Sequence, residues 1–519
     1  MDVEGGHSSA IFFILFGGLT FYVLLKSERT DPNLRHIPTL GFRAYLLSYV
    51  DALRFIKTCP DRLRKGYDQY RTTAFKVATW TRWLVVITGT RALEELRKSS
   101  DEHSSFIDAS TEPDASLYLS GHAQAVAPQI IGEITRSMTQ NLAFLIPSIK
   151  EEVALVLNSA IPATKSEVSM EWQELDAIPL VARITTKVVN RTMLGLSLTR
   201  DEQYEQISMD QAREVYGYYL NTILPILPRF MSRFARAMSI TNRRRRRLRS
   251  MIISSIRQKK EAFQHSNQEV NEERLQDALS WTLSDASNQM SVEDIACQFL
   301  NLSITASQTI TMTFGHVLYH LAANPKFAAP LRKEVEQIVA REGWNKHSLD
   351  RMLKVDSFVK ESMRMSNISS VSMTRKILSP FTLPDGTQLP TGTIIAAASR
   401  ARHMDPAIYN TPDTFDGLRF SKLHEQRYGD DCSGSGLPFQ LVTTTTDYLV
   451  WGYGRHACPG RFFVAVTLKM MLAYVVLHYD VRFENGTRPR DFIAGTNYLP
   501  DPDAKILFRK RKPESNYPL

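Results

Sequence analysis

A glycine-rich loop around a single cysteine, followed at once by a long apolar run, is the feature that most constrains this chain. The loop spans residues 451–461 (WGYGRHACPGR), and the apolar run spans residues 462–476. Glycine allows tight bends and a close approach of the backbone to a ligand. The apolar run is predicted to be a helix, so Cys458 lies at or just before its N-terminus, where unpaired N–H groups and the helix dipole favour a thiolate. Such a thiolate is suited to bind a flat metal cofactor.

An isolated cysteine is more often a small buried apolar residue than a ligand. A second pattern, however, supports the interpretation of Cys458 as a ligand. Glu361 and Arg364 are three residues apart in a predicted helix, which places them on one face. Residues 412–420 add a Pro-x-x-Phe-x-x-x-Arg-Phe segment that contains Arg419. An isolated Glu-x-x-Arg pair is usually a surface ion pair of little energetic value. A buried glutamate between two guanidinium groups, however, can satisfy its oxygens by bidentate hydrogen bonds.

The cysteine loop resembles the haem-binding loop of the cytochrome P-450 superfamily, the haem-thiolate monooxygenases, whose pattern is aromatic-Gly-x-Gly-x-x-x-Cys-x-Gly. The first aromatic residue is usually Phe and is Trp451 here. The resemblance implies that Glu361, Arg364 and Arg419 brace the core under the loop in a structural role. The resemblance covers roughly residues 36–510. Short stretches within it look like those of fungal secondary-metabolism members of the family, such as terpenoid and indole-diterpene oxidases.

The resemblance also implies the cofactor, haem b (iron protoporphyrin), with the thiolate of Cys458 as the axial ligand of the iron. Gly452 and Gly460 would allow the loop to approach the haem closely. His456 and Arg375 match positions that contact haem propionates, and His122 stands in for a Trp-x-x-x-Arg motif that this sequence lacks.

A second set of candidate residues lies on the predicted helix at residues 301–323. By resemblance, Thr309 is the threonine that assists proton delivery to oxygen, whereas Gln308 stands where an acid is usual and Ala306 where glycine is usual. Glutamine can relay a hydrogen bond but cannot supply a titrating proton. The alternative for Thr309 is the back-bond to the preceding helical turn that threonine commonly makes.

The substrate pocket implied by the resemblance draws on four segments, for each of which ordinary packing is the alternative. Its candidate residues are Phe106, Ile107, Thr305, Ala306, Ile368, Val371 and Tyr498, within residues 106–107, 305–306, 368–371 and 497–499.

Composition and patterning predict one large domain that is mostly α with minor β. The chain has 519 residues, 43% of them hydrophobic and 23% charged, which is ample for a large core, and no linker interrupts it after residue 40. Residues 31–519 are expected to form the haem-thiolate monooxygenase domain, a single helical domain with small β-sheets. Locally, residues 103–120 and 421–446 are predicted to be irregular, residues 172–194 helical, and residues 394–399 the start of a helix.

Residues 1–30 are predicted to be an N-terminal membrane anchor. The run at residues 10–25 is almost wholly apolar and just long enough to span a bilayer as a transmembrane helix. Acidic residues precede it, whereas Lys26, Arg29 and Arg35 follow it, so the positive-inside rule leaves the catalytic domain in the cytosol. The expected location is the endoplasmic reticulum membrane, with a single pass; a buried or re-entrant helix is the alternative.

Charge and cysteine usage narrow the possible partners. The net charge of +9 is compatible with nucleic acid, a membrane surface or an acidic protein. No nucleic-acid motif appears, so no nucleic-acid partner is predicted, and the basic run at residues 243–249 is either a solvated face or a contact with anionic membrane lipid. The four cysteines are widely spaced without a Cys-x-x-Cys pair, which supports neither a disulfide framework nor a zinc module.

The implied reaction inserts one oxygen atom of O2 into a C–H bond or an alkene of an apolar secondary metabolite, such as a terpenoid. The sequence has no flavin or nicotinamide fingerprint, so NADPH would act only indirectly, through an NADPH–cytochrome P-450 reductase.

Two alternatives to this function stay open. A haem-thiolate isomerase or dehydratase without a reductase is favoured by Gln308 and opposed by Thr309, and the other alternative is a non-catalytic membrane haem-binding protein.

Overall fold

Helices form most of the protein in its computed structural model, which describes residues 32–79, 82–111, 128–161, 171–213, 240–265, 276–284, 290–429 and 438–511. The helices of these residues are α1 (Tyr45–Gln69), α2 (Thr90–Lys98), α3 (Phe106–Thr111), α4 (Pro128–Gln140), α5 (Leu142–Ala160), α6 (Ala177–Met193), α7 (Leu196–Arg200), α8 (Glu202–Arg213), α9 (Ile240–His265), α10 (Ala278–Ser284), α11 (Val292–Ala323), α12 (Ala328–Glu342), α13 (Lys346–Arg351), α14 (Leu353–Met365), α15 (Ser399–His403), α16 (Arg419–Tyr428) and α17 (Arg461–His478).

In the described part of the chain, short strands form four small sheets. The strands are β1 (Ala74–Ala78), β2 (Trp83–Ile87), β3 (Ser104–Ser105), β4 (Gln173–Asp176), β5 (Ser372–Ile377), β6 (Phe381–Thr382), β7 (Gln388–Leu389), β8 (Ile394–Ala397), β9 (Tyr479–Arg482), β10 (Phe492–Ala494), β11 (Asn497–Leu499) and β12 (Lys505–Lys510). The largest sheet has the order β1-β2-β8-β5-β3, in which only the β2–β8 pair is parallel. A second sheet has the order β4-β12-β9, and β6–β7 and β10–β11 are two-stranded hairpins.

Helix α11 is the centre of the main core. It begins at an N-cap, Ser291, whose hydroxyl accepts a hydrogen bond from the backbone N–H of Asp294 at 3.1 Å. Apolar residues occur on most of its circumference, and it packs against α6, α9, α14 and α17. A helix that is apolar on nearly all sides is expected to be buried. This burial fixes the position of the candidate residues at 305–309.

Helix α17, which follows the cysteine loop, is also a core helix. Within the described ranges it is the one helix long and apolar enough to cross a membrane, and 72% of it is buried inside the protein. Its burial against α5, α12 and α14 holds the end of the cysteine loop on the core. The predicted anchor at residues 1–30 lies outside the described residues.

Four local predictions were wrong in part, and where strands formed instead, long-range pairing outweighed the local pattern. Residues 172–194 contain strand β4 before helix α6, and β4 pairs with the distant β12. Residues 394–397 form a central strand between β2 and β5 rather than the start of a helix. Within residues 421–446, α16 continues to Tyr428. Within residues 103–120, β3 and α3 replace the predicted loop as far as Thr111. Strands β1 and β2 pair antiparallel with each other.

Candidate active site

The cysteine loop folds back on itself before α17 begins. Gly452 and Gly454 have positive φ angles, +74° and +81°, which glycine adopts without strain. The N–H of Cys458 donates to the carbonyl of Trp451 at 2.7 Å, which closes the loop. Gly460 is the N-cap residue of α17 at φ −81°, so its own conformation does not require glycine. Cys458 therefore lies three residues before the first residue of a buried helix, as predicted.

The sulfur of Cys458 is surrounded by positive partial charge. Burial raises the pKa of this thiol, but backbone N–H groups of Gly460 and Arg461 hydrogen-bond to the sulfur and act in the opposite direction, together with the charge of Arg461. These N–H groups belong to the start of α17, where they have no partner within the helix. They are the donors that would stabilise a thiolate bound to a metal.

The loop rests on helix α2. The hydroxyl of Tyr453 donates to a carboxylate oxygen of Glu94 at 2.8 Å. Gly454 lies so close to α2 that a Cβ atom at this position would be 2.4 Å from Cγ of Arg97. Sequence reasoning did not identify α2 as the support of the loop, because the two segments are far apart in the chain.

The predicted buried triad forms between α14 and the first residue of α16. Arg364 donates from Nε and Nη2 to the two oxygens of Glu361 at 2.8 and 2.9 Å, and Arg419 donates from Nε to Oε1 at 3.0 Å. The side chains of Glu361 and Arg364 have no exposed surface, and that of Arg419 is 10% exposed. The other donors of Arg364 reach the carbonyls of His403 and Pro412 at 2.6 and 2.8 Å. The single carboxylate of the triad is thus shared by two guanidinium groups.

Two further residues, one on α14 and one on α15, bind the segments that precede the loop, and sequence reasoning missed both. The buried Lys360 donates to the carbonyl of Gln440 at 2.8 Å. The ring nitrogen Nε2 of His403 accepts from the N–H of Leu449 at 3.0 Å. The one available signal was their place in otherwise recognisable segments, since Lys360 directly precedes Glu361.

On α11, Thr305, Ala306 and Thr309 lie on a face that is only partly buried, whereas Gln308 is buried. The hydroxyl of Thr309 donates to the carbonyl of Thr305 at 3.0 Å, which is the back-bond expected of a helical threonine. The side-chain oxygen of Gln308 has no hydrogen-bond partner within the described ranges. The structure therefore does not place Gln308 and Thr309 on one face.

The remaining candidate pocket residues do not all lie together. Ile368 belongs to an apolar cluster with Met312, Phe492 and Leu499. Phe106 and Ile107 begin α3 and are 38% and 41% exposed. Val371 packs instead in a separate cluster with α1 and the large sheet. Tyr498 lies on the β10–β11 hairpin, with its ring centroid 3.8 Å from the guanidinium carbon of Arg400.

The arrangement around the loop fits a flat, anionic cofactor that brings its own metal. In the described part of the chain, no group of three or more His, Cys, Asp or Glu side chains could hold a metal ion. Arg375 is buried, with a guanidinium that donates to the carbonyl of Thr374 and lies over the ring of Phe106. Burial lowers the pKa of Arg375 to about 10, so an anionic partner would be favourable there. His456 lies nearby, with Nε2 2.5 Å from a carboxylate oxygen of Asp101.

These residues fit haem, with the Cys458 sulfur for iron and Arg375 and His456 for propionates. His122, the third predicted propionate contact, lies outside the described residues. A sequence model of the cytochrome P-450 family matches residues 57–508. The chain belongs to the cytochrome P-450 family.

Its relatives agree with this membership over nearly the whole chain. It is 35% identical to cytochrome P-450 monooxygenase 151 of Postia placenta, over 96% of this chain and 98% of that protein. It is 28% identical to an ent-kaurene oxidase of Fusarium fujikuroi, over 96% of this chain and 93% of that protein. Among solved structures, the heme domain of cytochrome P-450DA superposes with a TM-score of 0.68 at 16% identity, over 93% of this chain and 99% of that one.

Membership in the P-450 family confirms the predicted fold, mostly helical with small sheets, and the class of enzyme, an oxidoreductase of the monooxygenase type. The family implies haem with a thiolate ligand, and its monooxygenases use O2, a redox partner and organic substrates.

Proposed function

We propose that this protein is a haem-thiolate monooxygenase that hydroxylates or epoxidises an apolar secondary metabolite, a terpenoid, with electrons from an NADPH–cytochrome P-450 reductase. The observation that carries the proposal is Cys458 at the start of a buried helix, with backbone N–H groups of Gly460 and Arg461 directed at its sulfur. The thiolate would donate electron density to the haem iron, and the bound haem would supply the transfer of one oxygen atom from O2.

The residues of this chain would bind the haem and hold a proton close to the site of reaction. Arg375 and His456 would hold the carboxylates of the haem, because a buried guanidinium and an imidazole are suited to anions. Thr309 would hold a proton at its hydroxyl oxygen, which already has an acceptor in the carbonyl of Thr305. Gln308 cannot itself deliver a proton by titration. Water would therefore be the proton source for Thr309.

The apolar character of the substrate is supported by the cluster of Ile368, Met312, Phe492 and Leu499 beside α11. A relative named ent-kaurene oxidase supports a terpenoid of that type. An apolar wall selects chiefly by shape, so the size of the molecule would decide which substrates the site admits.

Residues 1–30 would anchor residues 31–519 to the cytosolic side of the endoplasmic reticulum membrane. The apolar run at residues 10–25 and the basic residues after it support this. Expression of the full chain and of residues 31–519 tests the anchor. The full chain should stay in the membrane fraction after alkaline carbonate extraction, and release of the full chain would contradict it.

The decisive experiment is the absorption spectrum of the reduced, carbon monoxide-bound protein, for wild type and Cys458→Ala. A thiolate-type Soret band is expected for the wild type alone, and its absence there would overturn the proposal. Turnover of ent-kaurene and related terpenoids is then measured with and without the reductase and NADPH. Product that forms without reductase would favour the isomerase or dehydratase alternative, and a thiolate band without any product would favour a haem-binding protein.

A further inference from the structure

Helix α11 carries a buried histidine, His316, seven residues after Thr309. Its side chain is 1% exposed, and both ring nitrogens have partners. Nδ1 lies 2.9 Å from Nη2 of Arg488, and Nε2 lies 3.1 Å from the carbonyl oxygen of Tyr498. A guanidinium can only donate, so Nδ1 accepts and Nε2 carries the proton that is donated to Tyr498. The imidazole is thus neutral and held in one tautomer.

An ion pair completes this cluster. Arg488 donates from Nη1 and Nη2 to the two oxygens of Asp491 at 2.9 and 2.7 Å, and the side chain of Asp491 is only 2% exposed. Nη2 of Arg488 also lies 3.4 Å from the hydroxyl of Ser366, the C-cap residue that follows α14. The cluster of His316, Arg488 and Asp491 therefore joins α11, the end of α14 and the segment that leads into strand β10.

The element that this cluster holds is the β10–β11 hairpin. Tyr498, on β11, is tied to His316 through its carbonyl and to the carbonyl of Ile368 through its N–H, at 3.0 Å. The N–H of Ser370 donates to the carbonyl of Thr496 at 2.7 Å. Two separate candidate pocket segments, residues 368–371 and 497–499, are thus joined into one backbone unit.

The same hairpin meets the open face of α11. Phe492 and Leu499 pack with Ile368 and with Met312, which lies three residues after Thr309 and so on the same side of the helix. Apolar contacts of this kind exclude water but tolerate sliding, whereas hydrogen bonds are directional and fix register. The polar cluster and the apolar cluster hold the hairpin together, and the directional hydrogen bonds of the polar cluster contribute to fixing its place along α11.

We propose that His316, Arg488 and Asp491 are positioning residues that fix the β10–β11 hairpin as one wall of the substrate cavity, and that they thereby limit the size of the apolar molecules that reach the haem. This inference rests on the proposed function, because it takes the apolar region between the hairpin and α11 as part of the substrate site. None of the three residues needs to touch the substrate. Their effect is transmitted through Tyr498 and its neighbours on the hairpin.

The test uses the full-length holoprotein and two azole probes of different size, imidazole and 4-phenylimidazole, whose binding to haem shifts the Soret band. His316→Leu removes both hydrogen bonds and should release the hairpin. The ratio of the two dissociation constants should then change by about tenfold in favour of the larger probe, as expected for the loss of one or two buried hydrogen bonds. Amide hydrogen exchange of residues 492–499 should become faster, which reports the hairpin independently of the haem.

Two variants make the result specific. His316→Gln can still donate to the carbonyl of Tyr498 and accept from Arg488, so it should restore both readouts. Asp503→Asn is the matched control, because it removes an exposed carboxylate from the same region of the chain and should change neither. If His316→Leu does not accumulate as holoprotein, Asp491→Asn replaces it with the same expectation.

Unchanged exchange and an unchanged probe ratio in a folded His316→Leu or Asp491→Asn protein would overturn the inference. The carbon monoxide spectrum of each variant separates this failure from failure of the proposed function. A thiolate-type band with unchanged selectivity contradicts only the positioning role. Absence of that band in the wild type contradicts both.

Discussion

Glu361 and Arg364 face each other across one turn of α14 through two parallel hydrogen bonds of 2.8 and 2.9 Å, and neither side chain has any exposed surface. Arg419 adds a third bond to the same carboxylate. Burial of charged groups is costly unless they are paired and hydrogen-bonded, and here one carboxylate is shared by two guanidinium groups whose other donors reach backbone carbonyls. The triad therefore ties α14 to the segment that contains Arg419, and we expect the stability of the fold to depend on it.

Glu361→Gln should destabilise the protein strongly, by about 3–5 kcal/mol, because it leaves Arg364 and Arg419 buried beside a neutral amide. The measurement is the thermal or urea midpoint of unfolding, followed with the haem content of the purified protein. Asp350→Asn is the matched control, since it breaks the half-exposed Lys346–Asp350 pair of α13 and should cost less than about 1 kcal/mol. Equal effects of the two substitutions would contradict the structural role of the triad.

Gly454→Ala should weaken the cysteine loop by roughly 1–3 kcal/mol, the cost of holding a residue other than glycine in a strained backbone conformation. The φ angle of +81° and the 2.4 Å approach to Cγ of Arg97 both oppose a Cβ atom. The measurement is the amount of haem bound per protein after mild heating. Gly132→Ala, in α4, has open space and no positive φ, so it should be neutral or stabilising. Haem retention equal to that of the wild type in Gly454→Ala would be evidence against a tight loop.

Stability should fall as the pH is lowered from about 6.5, and His403 contributes to this. Burial, assisted by the charges of Arg364, Arg400 and Arg402, lowers the pKa of His403 to about 3. Between pH 6.5 and 3 the unfolded chain binds a proton at this residue that the folded chain does not, so acid favours unfolding.

His403→Gln should therefore give a shallower dependence of the unfolding midpoint on pH, measured between about pH 7.5 and about pH 5. The slope, rather than the absolute midpoint, is the readout, because the substitution also changes the hydrogen bond to Leu449. His347→Gln is the control, since the side chain of His347 is 75% exposed. A slope in His403→Gln identical to that of the wild type would refute the assignment.

The sequence allowed prediction of those parts of the site whose residues occur in short, ordered patterns. Cys458, Glu361, Arg364 and Arg419 lie in such patterns. For the last three, the pattern also indicated burial, because a buried glutamate can be satisfied by two guanidinium groups. Strand β8 could not be predicted, because an Ile-Ile-Ala-Ala segment takes its conformation from the neighbouring β2 and β5.

The parts that escaped prediction depend on contacts between distant segments. His403 and Lys360 bind the backbone of residues 440–449, and a backbone acceptor leaves no mark in the sequence. The contact between the cysteine loop and α2 escaped prediction for the same reason, and so did the cluster around His316. Side chains could be located by pattern, whereas their main-chain partners required the fold.

Thr309→Val should lower the amount of product formed per NADPH consumed, by about tenfold or more, if the hydroxyl takes part in proton delivery. Valine has nearly the same shape and removes only the hydroxyl. Thr313→Val is a matched control, because Thr313 makes the equivalent back-bond to the carbonyl of Thr309 at 2.8 Å. A similar loss in both variants would attribute the effect to helix packing instead.

Arg375 offers a test in which the apoprotein and the holoprotein should respond in opposite directions. Among the described residues, its guanidinium has one hydrogen-bond acceptor, the carbonyl of Thr374, and it lies over the ring of Phe106. Burial of the guanidinium outweighs the opposing charge of Asp101 and lowers the pKa of Arg375 to about 10. A haem carboxylate would supply an anion in direct contact with the guanidinium.

Arg375→Leu should therefore leave the apoprotein equally stable or more stable, whereas it should weaken haem binding by about tenfold or more, as expected for a charged hydrogen bond. The apoprotein is measured by thermal unfolding, and haem affinity by the rate at which apomyoglobin removes the haem. Arg375→Lys keeps the charge but not the forked geometry, so its haem loss should lie between those of the wild type and the leucine variant. Destabilisation of the apoprotein together with unchanged haem loss would show that Arg375 serves the fold through Thr374 and Phe106 and does not hold the cofactor.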